Sequence, residues 1–117
     1  MTTKLELVKS YWAAEGRKDL PAILAHFAED ADFSVPGMHV EGRSAISKFY
    51  EGMIDGFRSI EVCVREAIEQ GDEIAVEWQC RLVRNSGEER IANGCNCFEI
   101  RDGVFCRMRG YFNPADF

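Results

Sequence analysis

The sequence has fewer basic residues than acidic ones and no long apolar run. Fourteen Lys and Arg residues stand against 20 Asp and Glu residues, which gives a formal net charge of −6. This charge repels phosphate backbones and anionic lipid headgroups, so nucleic acid is not an expected partner. No run approaches the roughly 20 apolar residues of a membrane-spanning helix, and the start of the chain lacks a signal-peptide core. We therefore expect a cytoplasmic protein with no membrane partner.

Residues that bind metals are few and poorly spaced. The five cysteines include no C-x-x-C pair, and only His26 and His39 are available to complete a zinc site with them. An odd number of cysteines in a cytoplasmic chain favours free thiols. We expect neither a metal site nor a bound cofactor.

The overall amino-acid composition is typical of a globular protein. The chain has 117 residues, of which 46% are hydrophobic and 29% are charged. This length suits a single domain that covers residues 1–117, and the sequence shows no linker or internal repeat. Collagenous and disordered classes are excluded.

The first part of the chain has the apolar spacing of helices. Up to Gly16, apolar residues recur every three or four positions, as they do on one face of a helix. Asp19 is a good N-cap for a second, short helix, with Pro21 in its first turn. The buried stripe of this second helix is expected to include Phe27.

One strand is predicted between the second helix and a third. The run Ala31–Val35 is strand-like and ends at a Pro36-Gly37 turn signal, and the apolar spacing over Ser44–Ile54 predicts the third helix. Beyond it the apolar period falls from about 3.6 to about 2. Turns that contain glycine divide this part into four antiparallel strands, joined as a meander.

Alternation along these strands separates an inner from an outer face of the sheet. The alternate residues from Ile74 to Leu82 are apolar throughout, so this face must meet the helices. The same parity places Cys106 and Met108 of the last strand inside. The outer face then carries more apolar side chains than a free surface tolerates, which predicts a homodimer through that face. These side chains are Ile91, Cys95, Cys97, Phe105 and Tyr111.

Five short motifs follow one another along the chain as a helix, a turn, a strand entry, a helix entry and an aromatic pair within that last helix. They are Tyr11-Trp12-Ala13-Ala14, Lys18-Asp19-Leu20, Phe27-Ala28-Glu29-Asp30-Ala31, Glu41-Gly42-Arg43-Ser44-Ala45-Ile46 and Phe49-Tyr50. Together they resemble the NTF2-like superfamily, which includes ketosteroid isomerase and SnoaL-like polyketide cyclases, over residues 4–113. The resemblance implies an α+β cone in which three N-terminal helices pack in a curved antiparallel β-sheet. It specifies a fold more than an activity.

The resemblance to ketosteroid isomerase can be followed residue by residue. That enzyme uses a tyrosine that stabilises an oxyanion, a general-base aspartate at the end of the first strand and an acid on a later inner strand. Tyr11 stands at the place of the tyrosine, but Val35 and Asn96 stand at the places of the base and the acid. The lost base is worth about 10²–10⁴-fold in rate. Isomerisation of a ketosteroid is therefore disfavoured.

The other relatives that the resemblance implies fit no better. SnoaL-like cyclases use an aspartate near the end of the last strand, where this chain has Asn113. Relatives that resemble limonene-epoxide hydrolase carry an inward Asp, Arg and Asp, whereas Glu77, Arg81 and Glu99 face outward by parity. The sequence names no proton acceptor.

The expected cavity is apolar and contains few polar groups. Tyr11 and Asn96 are the candidate catalytic residues, as donors that polarise a ligand oxygen, and His39 is a candidate acid or base at the rim. Each also has a structural alternative, as a core aromatic, a buried amide with a protein partner and a solvated loop residue respectively. The other candidate ligand-binding residues are Phe33, Val35, Phe49, Val62, Trp78, Phe98, Met108, Phe112 and Asn113.

Two classes of function remain open. The first is a SnoaL-like or isomerase-like enzyme, an isomerase, cyclase or lyase, whose partner is a small hydrophobic carbonyl compound. The second is a non-catalytic module for ligand binding or dimerisation, which the missing carboxylates favour.

Overall fold

Three helices lie against one face of a six-stranded sheet in the computed structural model, which describes residues 2–117. The strand order is β2-β1-β6-β5-β4-β3, and every pair is antiparallel except β1 with β6. This arrangement confirms the predicted α+β class. The elements are α1 (Lys4–Gly16), α2 (Leu20–Leu24), β1 (Phe27–Val35), β2 (Met38–Glu41), α3 (Arg43–Gly56), β3 (Phe57–Gln70), β4 (Glu73–Arg84), β5 (Glu89–Arg101), β6 (Val104–Phe112) and a 3₁₀ helix (Pro114–Asp116).

Side chains at the helix starts explain where the first two helices begin. Thr3 and Glu6 form a capping box on α1, in which the Thr3 hydroxyl accepts from the Glu6 backbone N–H at 3.1 Å. Asp19 caps α2 as predicted, because its carboxylate accepts from the backbone N–H of Ala22 at 3.2 Å. Pro21 lies in the first turn of α2, where a missing N–H costs nothing.

The region between α2 and α3 differs from the prediction in two ways. Helix α2 ends at Leu24, so Phe27 is buried as the first residue of β1 and does not belong to a helical stripe. The Pro36-Gly37 signal is a hairpin turn, with Gly37 at φ +81°, and it leads into a second strand instead of ending strand structure. Strand β2 has only four residues of alternating exposure, and so short a run carries little apolar signal.

The meander of β3 to β6 confirms the predicted order of four strands, and its inner face is apolar. On β4 the side chains from Ile74 to Leu82 that share parity are all 5% exposed or less. They pack against the helices, as the alternation predicts. Asn96 on β5 is 6% exposed and lies on the same face.

Strand β6 corrects the predicted parity at its start. Glu99 pairs with Arg107 and Ile100 pairs with Phe105, so Cys106 is an extra residue that forms a β-bulge. The bulge reverses the parity of the residues before it. Phe105 is therefore fully buried instead of outward, and Cys106 is only half-buried. Phe105 does not belong to the apolar outer face.

We expect Gly94→Ala to destabilise the protein by about 1–3 kcal/mol, measured as the free energy of unfolding in urea. Gly94 pairs with Trp78, whose indole lies across it. An added Cβ would come within 2.5 Å of the indole ring and 2.6 Å of the Tyr111 carbonyl oxygen. Gly56→Ala is the control, because a Cβ there meets nothing within 4 Å. An unchanged free energy of unfolding in Gly94→Ala would show that the strands can move apart at this point without cost.

Candidate functional site

A cavity of about 410 Å³ lies between the inner face of the sheet and helices α1 and α3. Its wall is mostly aromatic and aliphatic, and none of the described residues that line it is basic. The structure brings most of the predicted site residues to this wall. They are Tyr11, Phe33, Val35, Phe49, Val62, Trp78, Asn96, Met108 and Phe112.

Three predicted site residues lie elsewhere. Phe98 is fully buried behind the wall, with its ring 4.6 Å from that of Phe105, because the bulge turns Phe105 inward beside it. His39 stands on the exposed β1–β2 hairpin. Asn113 follows β6 and caps the 3₁₀ helix, since its side-chain oxygen accepts from the Ala115 N–H at 3.0 Å.

The hairpin gathers metal-ligating groups away from the cavity. His39 Nε2 contacts a carboxylate oxygen of Asp32, and Glu41 is the cross-strand partner of Asp32. The ligand atoms of the three residues lie within 4.8 Å of one another. The hairpin is exposed, so water competes for these groups.

Tyr11 and Tyr50 form a hydrogen-bonded pair of hydroxyls at the inner end of the cavity. Both side chains are 1% exposed. Burial raises the pKa of both phenols well above 10, so both remain neutral. Only one hydroxyl proton is used within the pair, and the other can serve a third group. The sequence reasoning placed Phe49 at the cavity and missed Tyr50, its neighbour.

The orientation of the Asn96 amide is fixed by Trp78. The indole Nε1–H can only donate, and it donates to Asn96 Oδ1 at 2.9 Å. The amide nitrogen therefore points the other way, where the Met108 sulfur at 3.7 Å is a weak acceptor. Asn96 thus has a strong protein partner for its oxygen and only a weak acceptor for its N–H groups.

Glu15 is the functional candidate that the sequence reasoning missed. Its side chain lines the cavity and is 5% exposed. Loss of solvent on burial raises the pKa of its carboxyl to about 7, and the Tyr11 hydroxyl opposes the shift by hydrogen bonding to the charged form. The helical spacing of the sequence could have identified Glu15. It follows Tyr11 by four positions and Trp12 by three, so it shares their buried face of α1.

The cysteines offer no activated nucleophile in the cavity. All five thiols are free in the structure, and only Cys80 lines the wall. Burial, with the nearby Glu15 carboxyl, raises the pKa of Cys80 to about 12. A thiol with that pKa supplies almost no thiolate at neutral pH.

Comparison with known proteins defines the class to which this fold and cavity belong. The family model of the SnoaL-like domain matches residues 8–108. The chain therefore belongs to the SnoaL-like domain family, within the NTF2-like fold. A comparison with curated proteins finds no match.

Solved structures with this fold carry different functional names. A protein with the ketosteroid isomerase-like fold from Catenulispora acidiphila, bound to trimethylamine, is 17% identical to this chain and superposes with a TM-score of 0.87. The match covers 99% of this chain and 90% of that protein. A protein from Xanthomonas campestris, proposed to be a polyketide cyclase, is 26% identical with a TM-score of 0.78, covering 93% and 89%. An LEH-like epoxide hydrolase from M. tuberculosis is 20% identical with a TM-score of 0.80, covering 94% and 82%.

The helices of the described chain give no membrane span. Over residues 2–117, no helix combines the length and the apolar character that crossing a bilayer requires. The cytoplasmic location stays a prediction.

We expect the pH dependence of stability to change in Glu15→Gln. Because the pKa of Glu15 is about 7 in the folded protein and about 4.5 when unfolded, the folded state holds the extra proton between these values. The wild-type free energy of unfolding should fall by about 3 kcal/mol relative to Glu15→Gln as pH rises through this window, and then stay level. Urea unfolding from about pH 4 to 9 measures the difference. If the difference in unfolding free energy between wild type and Glu15→Gln does not vary with pH, the Glu15 carboxyl is hydrated in the folded protein.

Proposed function

We propose that the cavity binds a small hydrophobic carbonyl compound and that the protein acts on it as an isomerase, cyclase or lyase. The observation that carries this proposal is the amide of Asn96, which lines the apolar cavity with its oxygen held by Trp78 and its nitrogen directed at the weak acceptor Met108 Sδ. A site that offers donors and no basic side chain suits an oxygen acceptor.

The Tyr11 and Tyr50 pair supports the same ligand class. Two neutral phenols joined by one hydrogen bond leave one further O–H proton, and among the cavity residues its acceptors are the weak Met108 Sδ at 3.7 Å and the Glu15 carboxyl when that group is charged. Donors held in a dry site stabilise negative charge on an oxygen more strongly than water does, because they are already oriented. The cavity therefore suits a ligand whose carbonyl oxygen gains charge during reaction.

The size and surface of the cavity set the rest of the ligand. About 410 Å³ lies within the range for drug-sized molecules, and aromatic rings form much of the wall. The Xanthomonas campestris relative is proposed to be a polyketide cyclase, which agrees with a carbonyl-bearing hydrophobic ligand.

A non-catalytic binding module is the second candidate function. Val35 lines the cavity at the place where the ketosteroid isomerase resemblance puts a base, and a valine cannot accept a proton. Asn113 caps the 3₁₀ helix in place of the acid of the cyclases. A ligand that binds unchanged, with no proton exchange at its carbons, would favour this candidate.

We expect 2-tetralone to bind more tightly than tetralin, which has the same rings without the carbonyl. In Asn96→Asp this preference should fall by about 1–3 kcal/mol, because Asp keeps an oxygen for Trp78 and loses the N–H donors. This corresponds to about 5- to 150-fold in affinity, measured by calorimetric titration.

Asn85→Asp is the control, since Asn85 is exposed in the turn between β4 and β5 and lines neither the cavity nor the apolar outer face. Equal affinities of wild-type protein for the ketone and the hydrocarbon would contradict the proposed ligand class.

We also propose a homodimer through the outer face of the sheet. Ile91 and Tyr111 are 53% and 54% exposed there, and the half-buried Cys95 and Cys97 lie on β5, with Cys95 directly opposite Tyr111. Exposed apolar groups in one patch favour association.

We expect sedimentation equilibrium at micromolar concentration to give twice the chain mass of 13.3 kDa. Tyr111→Lys should shift the protein toward the monomer, because a dimer would bury the added charge. A wild-type species of single-chain mass would contradict the proposed dimer.

A further inference from the structure

The proposed function leaves one polar group of the cavity without a role. Glu15 is a buried carboxyl on α1, and the described residues that line the cavity include no basic side chain that could form an ion pair with it. A buried carboxyl without a cationic partner destabilises a fold, and a leucine or glutamine at this position would avoid the cost. Positions where a sequence departs from good packing are often functional.

The groups around Glu15 come from three elements. Tyr11 lies one turn earlier on α1, Tyr50 comes from α3 and Cys80 comes from β4. Each has a pKa raised by burial, the two tyrosines well above 10 and Cys80 to about 12. Glu15 is therefore the group among them that changes charge near neutral pH.

We propose that Glu15 is the proton acceptor of the cavity and that it removes a proton from a carbon next to the ligand carbonyl. This inference rests on the proposed carbonyl ligand. Glu15 shares the cavity with both donor groups, Asn96 and the tyrosine pair. It supplies from α1 the carboxylate that Val35 does not supply from the end of β1.

The step balances within the cavity. A Glu15 carboxylate oxygen takes the proton, the electrons of the broken C–H bond form the C=C bond of an enolate, and the carbonyl oxygen gains the negative charge. The amide N–H of Asn96 donates to that oxygen, and so does the tyrosine hydroxyl, which Glu15 no longer holds as a charged acceptor once it has taken the proton. Return of the proton from Glu15 to a different carbon completes an isomerisation and restores the carboxylate. No oxidant or further reactant is needed.

The probe reaction is the opening of 5-nitro-1,2-benzisoxazole, a small apolar carbon acid that does not depend on the unknown natural substrate. A base removes its ring C–H proton, the freed electrons complete a nitrile, and the N–O bond breaks to leave a coloured phenolate. We expect wild-type protein to catalyse this reaction, with a rate that rises with pH through about 7 and then levels.

Three variants test whether Glu15 is the base. Glu15→Gln should lose about 10²–10⁴-fold of the catalysed rate, and Glu15→Asp should keep part of that rate together with the pH dependence. Glu69→Gln should behave as wild type, because Glu69 is an exposed carboxylate at the end of β3. A wild-type rate without a step near pH 7, or Glu15→Gln as active as wild type, would overturn the proposal. The pH dependence of the wild-type rate still tests the proposal if Glu15→Gln does not fold.

The probe reaction tests Glu15 as the base, and the preference for 2-tetralone tests the carbonyl ligand, so the two proposals can fail independently. Catalysis of the probe reaction without preference for 2-tetralone over tetralin would support Glu15 and reject the carbonyl ligand. Preference for 2-tetralone without probe catalysis would support the ligand class and reject Glu15 as a base.

Discussion

The inner face of α1 lies buried against the sheet, and both the core and the cavity depend on this contact. Tyr11 is at its centre, with its ring centroid within about 6 Å of the rings of Phe27, Phe98 and Phe105. This packing fixes the direction of the Tyr11 hydroxyl, which meets that of Tyr50. Because residues four apart share a helix face, it also carries the Glu15 carboxyl into the cavity. One apolar contact thereby positions the polar groups.

The sequence predicts the helices and the meander well, because apolar periodicity and caps such as Asp19 are local signals. It predicts Asn96 on the inner face for the same reason. It misses the bulge at Cys106, since one extra residue in a pairing leaves no local pattern. It also misses what depends on contacts between distant elements, such as the bond from Trp78 that turns the Asn96 amide. Glu15 was accessible from spacing, but its burial needs the sheet.

Membership of the SnoaL-like domain family does not decide the chemistry. The three structures compared above share the fold at 17% to 26% identity, and their names point to different reactions. In this chain Val35 lines the cavity at the position where the resemblance to ketosteroid isomerase puts a base, and Glu15 lines the cavity from α1. The proposed chemistry therefore depends on the protonation state of the Glu15 carboxyl.

The most direct test is a ¹³C NMR titration of the Glu15 side-chain carboxyl, with its signal assigned by its absence in Glu15→Gln. We expect a midpoint near pH 7, because burial favours the neutral acid. A midpoint near 4.5, the ordinary value, would show a hydrated carboxyl and contradict Glu15 as the buried proton acceptor of the cavity.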